Sequence, residues 1–179
     1  LTPVNGTGTD YWTIVYLSVG EKIKFAPQAD WGNDFGGQAT VNDEAGAGLV
    51  ADTDNNLEAK NAGWYLLHIV NGVERIVNVL APNVYLTGDT APGGWSIDET
   101  GKFVVPETKD GEFVSPAFVA SKEVRMCVNF GGYDWWKVEF IVLDGKIVYR
   151  GNGGDQERVS VSEGQKAYLN FTDGTGTFK

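Results

Sequence analysis

Short runs of β-forming residues, separated by turn signals, recur along almost the entire chain, and sustained helical periodicity is hard to find. Asn-Gly and Asp-Gly pairs tolerate the positive φ angles of a type I′ turn, whose twist matches that of paired antiparallel strands. The sequence therefore predicts an all-β fold of antiparallel β-sandwiches, not alternating strands and helices. The predicted strands span residues 12–19, 22–26, 64–70, 73–80, 83–86, 113–120, 124–128, 138–143, 146–150 and 166–171, and the turn signals are Asn71-Gly72, Asp110-Gly111, Asp144-Gly145 and Asp173-Gly174.

An internal repeat divides the chain in two. Residues 20–25 (Gly-Glu-Lys-Ile-Lys-Phe) resemble residues 121–126 (Ser-Lys-Glu-Val-Arg-Met), at a spacing of about 100 residues that suits duplicated modules. The boundary is expected near Ala81-Pro82, which gives one β-sandwich module at residues 1–81 and a second at residues 82–179. Residues 83–102 have no counterpart at the start of the chain, so the first module is expected to lack its opening strand.

The charge of the chain argues against polyanionic partners. The net charge is −10. An acidic protein repels polyanions, so nucleic acid and anionic membrane surfaces are poor partners, whereas a neutral ligand is unaffected. No stretch approaches the roughly 20 apolar residues of a membrane-spanning helix.

The sequence shows no recognisable catalytic or metal-binding pattern. His68 is the only histidine and Cys127 the only cysteine, so neither a usual zinc site nor a Ser–His–Asp or Cys–His centre is suggested. Residues 52–56 (Asp-Thr-Asp-Asn-Asn) superficially match a calcium loop, but Leu57 and Gly63 stand where that loop requires Gly and Glu. We therefore expect no metal, no cofactor, and a core position for Cys127.

The chain has six tryptophans, which is more than a small core needs, so some of the rings are expected to face a ligand. Trp12 and Trp64 lie within predicted strands and are expected in the core. Trp135 and Trp136 are adjacent, so in a strand they would point to opposite faces, one toward the core and one toward solvent. The sequence leaves open which of the two is exposed. An exposed indole can pack flat against the C–H face of a pyranose ring.

Two segments carry distinctive motifs. Residues 23–37 read Ile-Lys-Phe-Ala-Pro-Gln-Ala-Asp-Trp-Gly-Asn-Asp-Phe-Gly-Gly, and residues 84–96 read Val-Tyr-Leu-Thr-Gly-Asp-Thr-Ala-Pro-Gly-Gly-Trp-Ser. Both resemble segments of the SusE/SusF family. The resemblance covers nearly the whole chain and includes tandem modules of about 100 residues. It implies a surface lipoprotein of a Bacteroidetes outer membrane, built from immunoglobulin-like, starch-binding β-sandwich modules and lacking enzymatic activity.

The resemblance also implies where a sugar binds. In the family's glucan sites an aromatic ring stacks on the sugar, while Arg or Lys and polar side chains bond its hydroxyls. No Arg occurs before Arg75, so the first module departs from this pattern. The expected ligand-binding residues are Trp95, Arg125, Trp135, Trp136, Arg150 and Asn152 in the second module, and Lys24, Trp31 and Asn33 in the first.

The expected function is non-catalytic binding of a neutral polysaccharide, starch or another α-glucan, at the bacterial cell surface in support of glycan uptake. The resemblance implies association with an outer-membrane glycan transporter complex, and membrane attachment only through a lipid anchor outside this chain. One alternative is a structural or protein-interaction β-sandwich of a surface lipoprotein without its own sugar site. Another is a hydrolase that uses an unrecognised carboxylate pair.

Overall fold

Nearly all regular structure in this protein is β-strand, and its tandem modules are β-sandwiches. The computed structural model describes residues 1–28 and 32–179. The one helical element in these ranges is a 3₁₀ helix at Trp135–Val138. The strands are β1 (Thr2–Pro3), β2 (Asp10–Leu17), β3 (Lys22–Ile23), β4 (Thr40–Asp43), β5 (Val50–Ala51), β6 (Leu57–Glu58), β7 (Gly63–Asn71), β8 (Arg75–Leu80), β9 (Val84–Thr87), β10 (Phe113–Val114), β11 (Arg125–Val128), β12 (Glu139–Leu143), β13 (Lys146–Tyr149), β14 (Ala167–Asn170) and β15 (Thr175–Phe178).

Contacts within the chain define two compact units. One comprises Leu1 together with Thr7–Ala81, and the other comprises Thr2–Gly6 together with Pro82–Lys179. The second unit is therefore assembled from two separate stretches of sequence.

Asn5 fixes the short stretch Thr2–Gly6 within the second unit. Its backbone N–H donates to the carbonyl oxygen of Lys137 at 3.0 Å. Its side-chain amide donates to the carbonyl oxygens of Gly151 and Gly153 at 2.7 and 3.0 Å. These three hydrogen bonds join the stretch to the end of the 3₁₀ helix and to the loop that follows β13.

The first unit packs a larger sheet against a smaller one. In the larger sheet β2, β7 and β8 are antiparallel, and β4 lies parallel to β8. The smaller sheet pairs β6 with β3 and β5, both antiparallel. The parallel pair departs from the antiparallel prediction, and its long crossover connection runs through residues 44–74. The core holds residues from both sheets, among them Leu17, Leu57, Tyr65, Leu67, Ile69, Val77 and Val79.

The second unit is built on one seven-stranded antiparallel sheet. Its strand order is β10-β14-β15-β13-β12-β11-β9. Phe113 on β10 and Phe140 on β12 both contact Phe171, with ring centroids 4.9 and 5.8 Å apart. Because three strands separate β10 from β12 in the sheet, this shared contact requires the sheet to fold over its own core.

The turn chemistry of the sequence is visible in the β12–β13 hairpin. Leu143 pairs with Lys146, so Asp144 and Gly145 form the whole connection. Their φ angles are 49° and 77°. Two positive φ angles are what a type I′ turn requires, in agreement with the prediction.

Several predicted strands are shorter in the structure, and some strands were missed. The run at residues 113–120 reduces to Phe113–Val114 because Pro116, which has no N–H, cannot continue a ladder. The missed strands β1, β4, β5, β6 and β15 are all short. Trp12, Trp64 and Cys127 are buried, as predicted.

Candidate functional site

Three of the predicted ligand-binding residues meet on the second unit. Trp95, in the loop after β9, is 56% exposed. Its ring centroid lies 5.6 Å from that of Trp135, the first residue of the 3₁₀ helix, with the ring planes tilted by 48°. Arg125, the first residue of β11, places its guanidinium carbon 5.8 Å from the Trp135 ring. The result is an aromatic surface with a multiple hydrogen-bond donor beside it.

Gly88 allows Trp95 and Arg125 to approach the backbone after β9. Its φ angle is +88°, a conformation that side-chain-bearing residues rarely adopt. A Cβ atom at this position would lie 3.2 Å from Cγ of Arg125 and 3.5 Å from the Trp95 ring. The close approach and the positive φ angle both favour glycine here.

Asp89 lies next to this contact and links it to a second cation. Its carboxylate accepts a hydrogen bond from Nζ of Lys122 at 2.9 Å. The pKa of Asp89 is lowered, first by this hydrogen bond and also by one from the Trp95 side chain. The ionised carboxylate therefore connects the exposed indole to Lys122.

A polar cleft opens beside the two rings. Its volume is about 270 Å³. Its walls carry one indole, cations, carboxylates and a hydroxyl, a mixture that suits an uncharged ligand rich in hydroxyl groups. The lining residues are Asp89, Trp95, Lys122, Glu123, Arg125 and Ser160.

The prediction that Trp135 and Trp136 point to opposite faces of a strand is wrong. Both lie in the 3₁₀ helix, where successive residues are about 120° apart, and both are half-buried. The Trp136 ring lies 5.1 Å from the guanidinium carbon of Arg150 and 5.4 Å from Nζ of Lys137. Each of the two adjacent indoles therefore has an arginine of its own, Arg125 for Trp135 and Arg150 for Trp136.

Glu139 lies beneath these arginines and was not among the predicted site residues. Its side chain is only 3% exposed. Oε2 lies 3.1 Å from Nη1 of Arg150, and Oε1 lies 3.5 Å from Nη1 of Arg125 and 3.5 Å from Nη1 of Arg158. The sequence does place Glu139 within the predicted strand 138–143, where a charged residue among apolar neighbours indicates a special role. Nothing in the loop sequence indicates that Arg158 is one of its partners.

Burial sets the protonation behaviour of Glu139. It raises the pKa of this carboxyl above its usual range, against the hydrogen bond from Arg150 and the charges of Arg125 and Arg150, which lower it. Arg125 and Arg150 are themselves only 13% and 14% exposed. Arg125 lies on the face of β11 opposite to that of Met126, and it is largely covered there.

Three further predicted site residues, Asn152, Lys24 and Asn33, do not join this cluster. Asn152 is exposed, and its side-chain oxygen accepts a hydrogen bond from the backbone N–H of Gly6 at 3.3 Å. In the first unit, Nζ of Lys24 lies 3.1 Å from the carboxylate of Asp34. Asn33 is exposed with a φ angle of +59°, and Trp31 lies outside the described residues.

Residues 1–28 and 32–179 contain neither a candidate metal cluster nor a candidate membrane-spanning helix. Within these ranges, His, Cys, Asp and Glu form no group of three or more that could hold a metal ion. No helix in the same ranges is long and apolar enough to cross a membrane.

The chain is similar to known proteins over almost its full length. A family model described as "SusF/SusE starch specific CBMs", that is, carbohydrate-binding modules, matches residues 1–76 and 83–177. Outer membrane protein SusF of Bacteroides thetaiotaomicron is 50% identical over 98% of this chain and 38% of its own length. The crystal structure of SusF from the same organism matches with a TM-score of 0.93 and 47% identity, covering 100% of this chain and 42% of that one. This chain thus spans about two fifths of the length of these relatives.

Proposed function

The chain belongs to the SusF/SusE family of starch-specific carbohydrate-binding modules, and we propose that its second module binds starch or another α-glucan without cleaving it. The observation that carries this proposal is the cluster of Trp95, Trp135 and Arg125 at the edge of a polar cleft. A ring that is more than half exposed next to a largely buried arginine is costly for a purely structural role. The same arrangement is well suited to a ligand with one apolar face and a rim of hydroxyls.

The proposed contacts follow from the chemistry of the sugar. The C–H face of a glucose ring packs on the exposed indole of Trp95, while Arg125 and Lys122 donate hydrogen bonds to hydroxyl oxygens at the rim. The carboxylates of Asp89 and Glu123 accept hydrogen bonds from other hydroxyls. Open, stacking-based recognition of this kind gives dissociation constants in the micromolar to millimolar range.

A longer glucan should bind more tightly than a short one if it reaches more than one module. The first module offers Lys24, Asn33 and Trp31 as the residues for a second contact point. Linked sites raise the effective concentration of the second binding event, so avidity adds affinity without any new contact. We propose the second module as the stronger of the two sites.

The biological setting is proposed from the relatives. The similar protein from B. thetaiotaomicron is named as an outer membrane protein, which supports a position at the cell surface. There the chain would capture glycan for uptake, in association with a transporter complex and held by a lipid anchor elsewhere in the protein.

A panel of polysaccharides tests the proposal. The protein is run in native gels that contain soluble starch, a β-linked glucan or no polysaccharide, and maltoheptaose binding is measured by calorimetry. Starch should retard the protein and the β-linked glucan should not. Absence of retardation by any neutral glycan would remove the proposed function, and release of reducing sugar from starch would contradict its non-catalytic character.

A further inference from the structure

We infer that Glu139 is the positioning residue of the site, a single buried carboxylate that holds Arg125 and Arg150 in place beside Trp135 and Trp136. The inference rests on the proposed function only where it concerns glycan affinity. Its structural part concerns the arrangement of side chains and can be tested without a ligand.

The register of the sheet explains why these groups meet. Glu139 on β12 pairs with Cys127 on β11. Arg125 precedes Cys127 by two residues on β11, so the side chains of Glu139 and Arg125 lie on the same face of the sheet. On its other side, the backbone N–H of Arg150 donates to the Glu139 carbonyl oxygen at 3.0 Å. Both arginines are therefore neighbours of Glu139 across adjacent strands, although they are far apart in sequence.

The two carboxylate oxygens are divided between the arginines. Oε2 accepts from Arg150, and Oε1 lies near Arg125 and Arg158. Each of the first two guanidinium groups also lies near one indole, at 5.1 Å for Arg150 and Trp136 and at 5.8 Å for Arg125 and Trp135. One carboxylate thus sets the position of both cation–indole pairs.

One donor atom of each arginine makes no hydrogen bond. Nε of Arg150 and Nη1 of Arg125 are buried and have no hydrogen-bond partner within the described residues, although Nη1 of Arg125 is also the atom that lies 3.5 Å from Glu139. A buried donor without a partner costs free energy, and a sugar hydroxyl that reaches it would remove that cost. Glu139 therefore holds Arg150 by a hydrogen bond from Nη1 and leaves its Nε without a partner, whereas it attracts Arg125 through charge and makes no hydrogen bond with its Nη1.

The other charges around Glu139 define what happens when it is neutralised. Arg125 also lies 3.5 Å from the exposed carboxylate of Glu123, and Arg150 lies 3.5 Å from that of Asp155. Asp155 also pairs with Arg158. Without a charge on Glu139, the outer carboxylates attract Arg125 and Arg150 away from the sheet. Both arginines should then leave the indoles and swing toward solvent.

Lys137 completes the set of charged groups that face this cluster from the 3₁₀ helix. Its Nζ lies 5.4 Å from the Trp136 ring. Lys137 is therefore a second cation, besides Arg150, on the Trp136 side of the cluster. The only buried negative charge among the described members of this cluster is that of Glu139.

The experiment follows the indole N–H signals of Trp135 and Trp136 by NMR as the pH is lowered, together with the side-chain carboxyl carbon of Glu139. In the wild-type protein both indole signals should shift over the pH range in which the Glu139 carboxyl gains its proton. In Glu139→Gln, they should start near their low-pH positions and show no step in that range. Asp155→Asn, which removes an exposed carboxylate from the same cluster, is the matched control and should keep the step.

Calorimetry with maltoheptaose supplies the second readout. Glu139→Gln should bind about tenfold more weakly at neutral pH, the loss expected when one charge-assisted hydrogen bond is misplaced, and its affinity should vary little with pH. If Glu139→Gln does not fold, Glu139→Asp takes its place, with a shorter side chain and a smaller loss expected.

Two results would overturn the inference. One is a folded Glu139→Gln protein with wild-type affinity and a wild-type pH profile. The other is a pair of indole signals in the wild-type protein that stay fixed while Glu139 titrates. A wild-type protein that binds no α-glucan defeats the proposed function instead, and the indole titration then still decides the role of Glu139.

Discussion

The ring centroids of Trp95 and Trp135 lie 5.6 Å apart, and the ring planes meet at 48° instead of stacking in parallel. Parallel rings would cover each other's faces. The tilted pair leaves more than half of Trp95 exposed, next to the cleft that Arg125 and Lys122 line. The tilt of this pair therefore leaves the Trp95 ring accessible to a ligand.

Trp95→Ala should remove most of the glycan affinity of the second module and leave its fold intact. Binding of maltoheptaose, measured by calorimetry, should weaken by about 10- to 100-fold, as expected for loss of a central aromatic contact. The free energy of unfolding should change by less than about 1 kcal/mol because the ring is mostly exposed. Val104→Ala removes another exposed apolar side chain, one that does not line the cleft, and should alter neither quantity. Wild-type affinity in Trp95→Ala would place the sugar elsewhere.

Gly88→Ala should harm both stability and binding. Its backbone lies at φ +88°, and the new Cβ atom would lie 3.2 Å from Cγ of Arg125, which is tighter than ordinary van der Waals contact, while it would just touch the Trp95 ring. Strain alone should cost about 1–2 kcal/mol in the free energy of unfolding. Gly164→Ala is the matched control, because Gly164 has φ +86° and no atom within 4 Å of its Cβ position.

Comparison of the two glycine variants separates strain from contact. Both should lower the melting temperature, but only Gly88→Ala should also weaken glycan binding. Equal affinities in the two variants would show that the approach of Arg125 and Trp95 to Gly88 has no part in the site.

Glycan binding should depend little on salt. The proposed ligand carries no charge, so screening of the protein's own charges changes few of its contacts. Between about 50 and 500 mM NaCl, the dissociation constant for maltoheptaose should change by less than about twofold. A steep loss of affinity over this range would indicate a charged glycan.

The stability of the first unit should fall as the pH is lowered, through Asp52. Nζ of Lys22 lies 2.8 Å from Oδ2 of Asp52, and the pKa of this carboxyl is held well below its usual range, first by the hydrogen bond from Lys22 and next by those from Asn56. A depressed folded-state pKa stabilises the fold fully above the unfolded value of about 3.9, and this contribution is lost as the pH falls below it.

Denaturant unfolding from pH 6 to pH 2 checks this expectation. Asp52→Asn should lose less stability over this range than the wild-type protein, so the two curves should converge in acid. Asp54→Asn removes a carboxylate from the same loop but keeps the pair with Lys22, and it should retain the wild-type slope. Identical slopes for the wild-type protein and Asp52→Asn would contradict the assignment.

The parts of the fold that depend on local sequence could be predicted. Asp144 and Gly145 are residue types that adopt positive φ angles readily, so the turn and the two strands that it joins could be located from the sequence. Trp95 and Arg125 could be predicted as candidate site residues because the family resemblance implies an aromatic ring and an arginine at a sugar site. The structure brings these two side chains together within the second unit.

Two features of the candidate site could not be predicted: the 3₁₀ helix that carries Trp135 and Trp136, and the contacts of Glu139 with residues distant in sequence. The turn before the 3₁₀ helix contains Gly131 and Gly132, both at positive φ, and the N–H of Lys137 bonds to the carbonyl oxygen of Asp134. The prediction for Trp135 and Trp136 assumed an extended strand, in which successive side chains alternate between faces, and therefore missed the 3₁₀ helix. Glu139 acquires its proposed role only when β11 supplies Arg125 and the segment after β13 supplies Arg150 and Arg158, which no local pattern encodes.

The hydrogen bonds of Asn5 bear on how the protein can be divided for experiment. A fragment that begins at Pro82 would follow the change of module in the sequence, yet it would lack the residues that bond to Lys137, Gly151 and Gly153. The loop directly after Arg150 would then lose an anchor. An isolated second module made this way could bind sugar poorly for reasons unrelated to its rings. Fusing residues 2–6 to Pro82 through a flexible linker would return the missing piece, and the difference between the two fragments would measure how far the recognition surface relies on it.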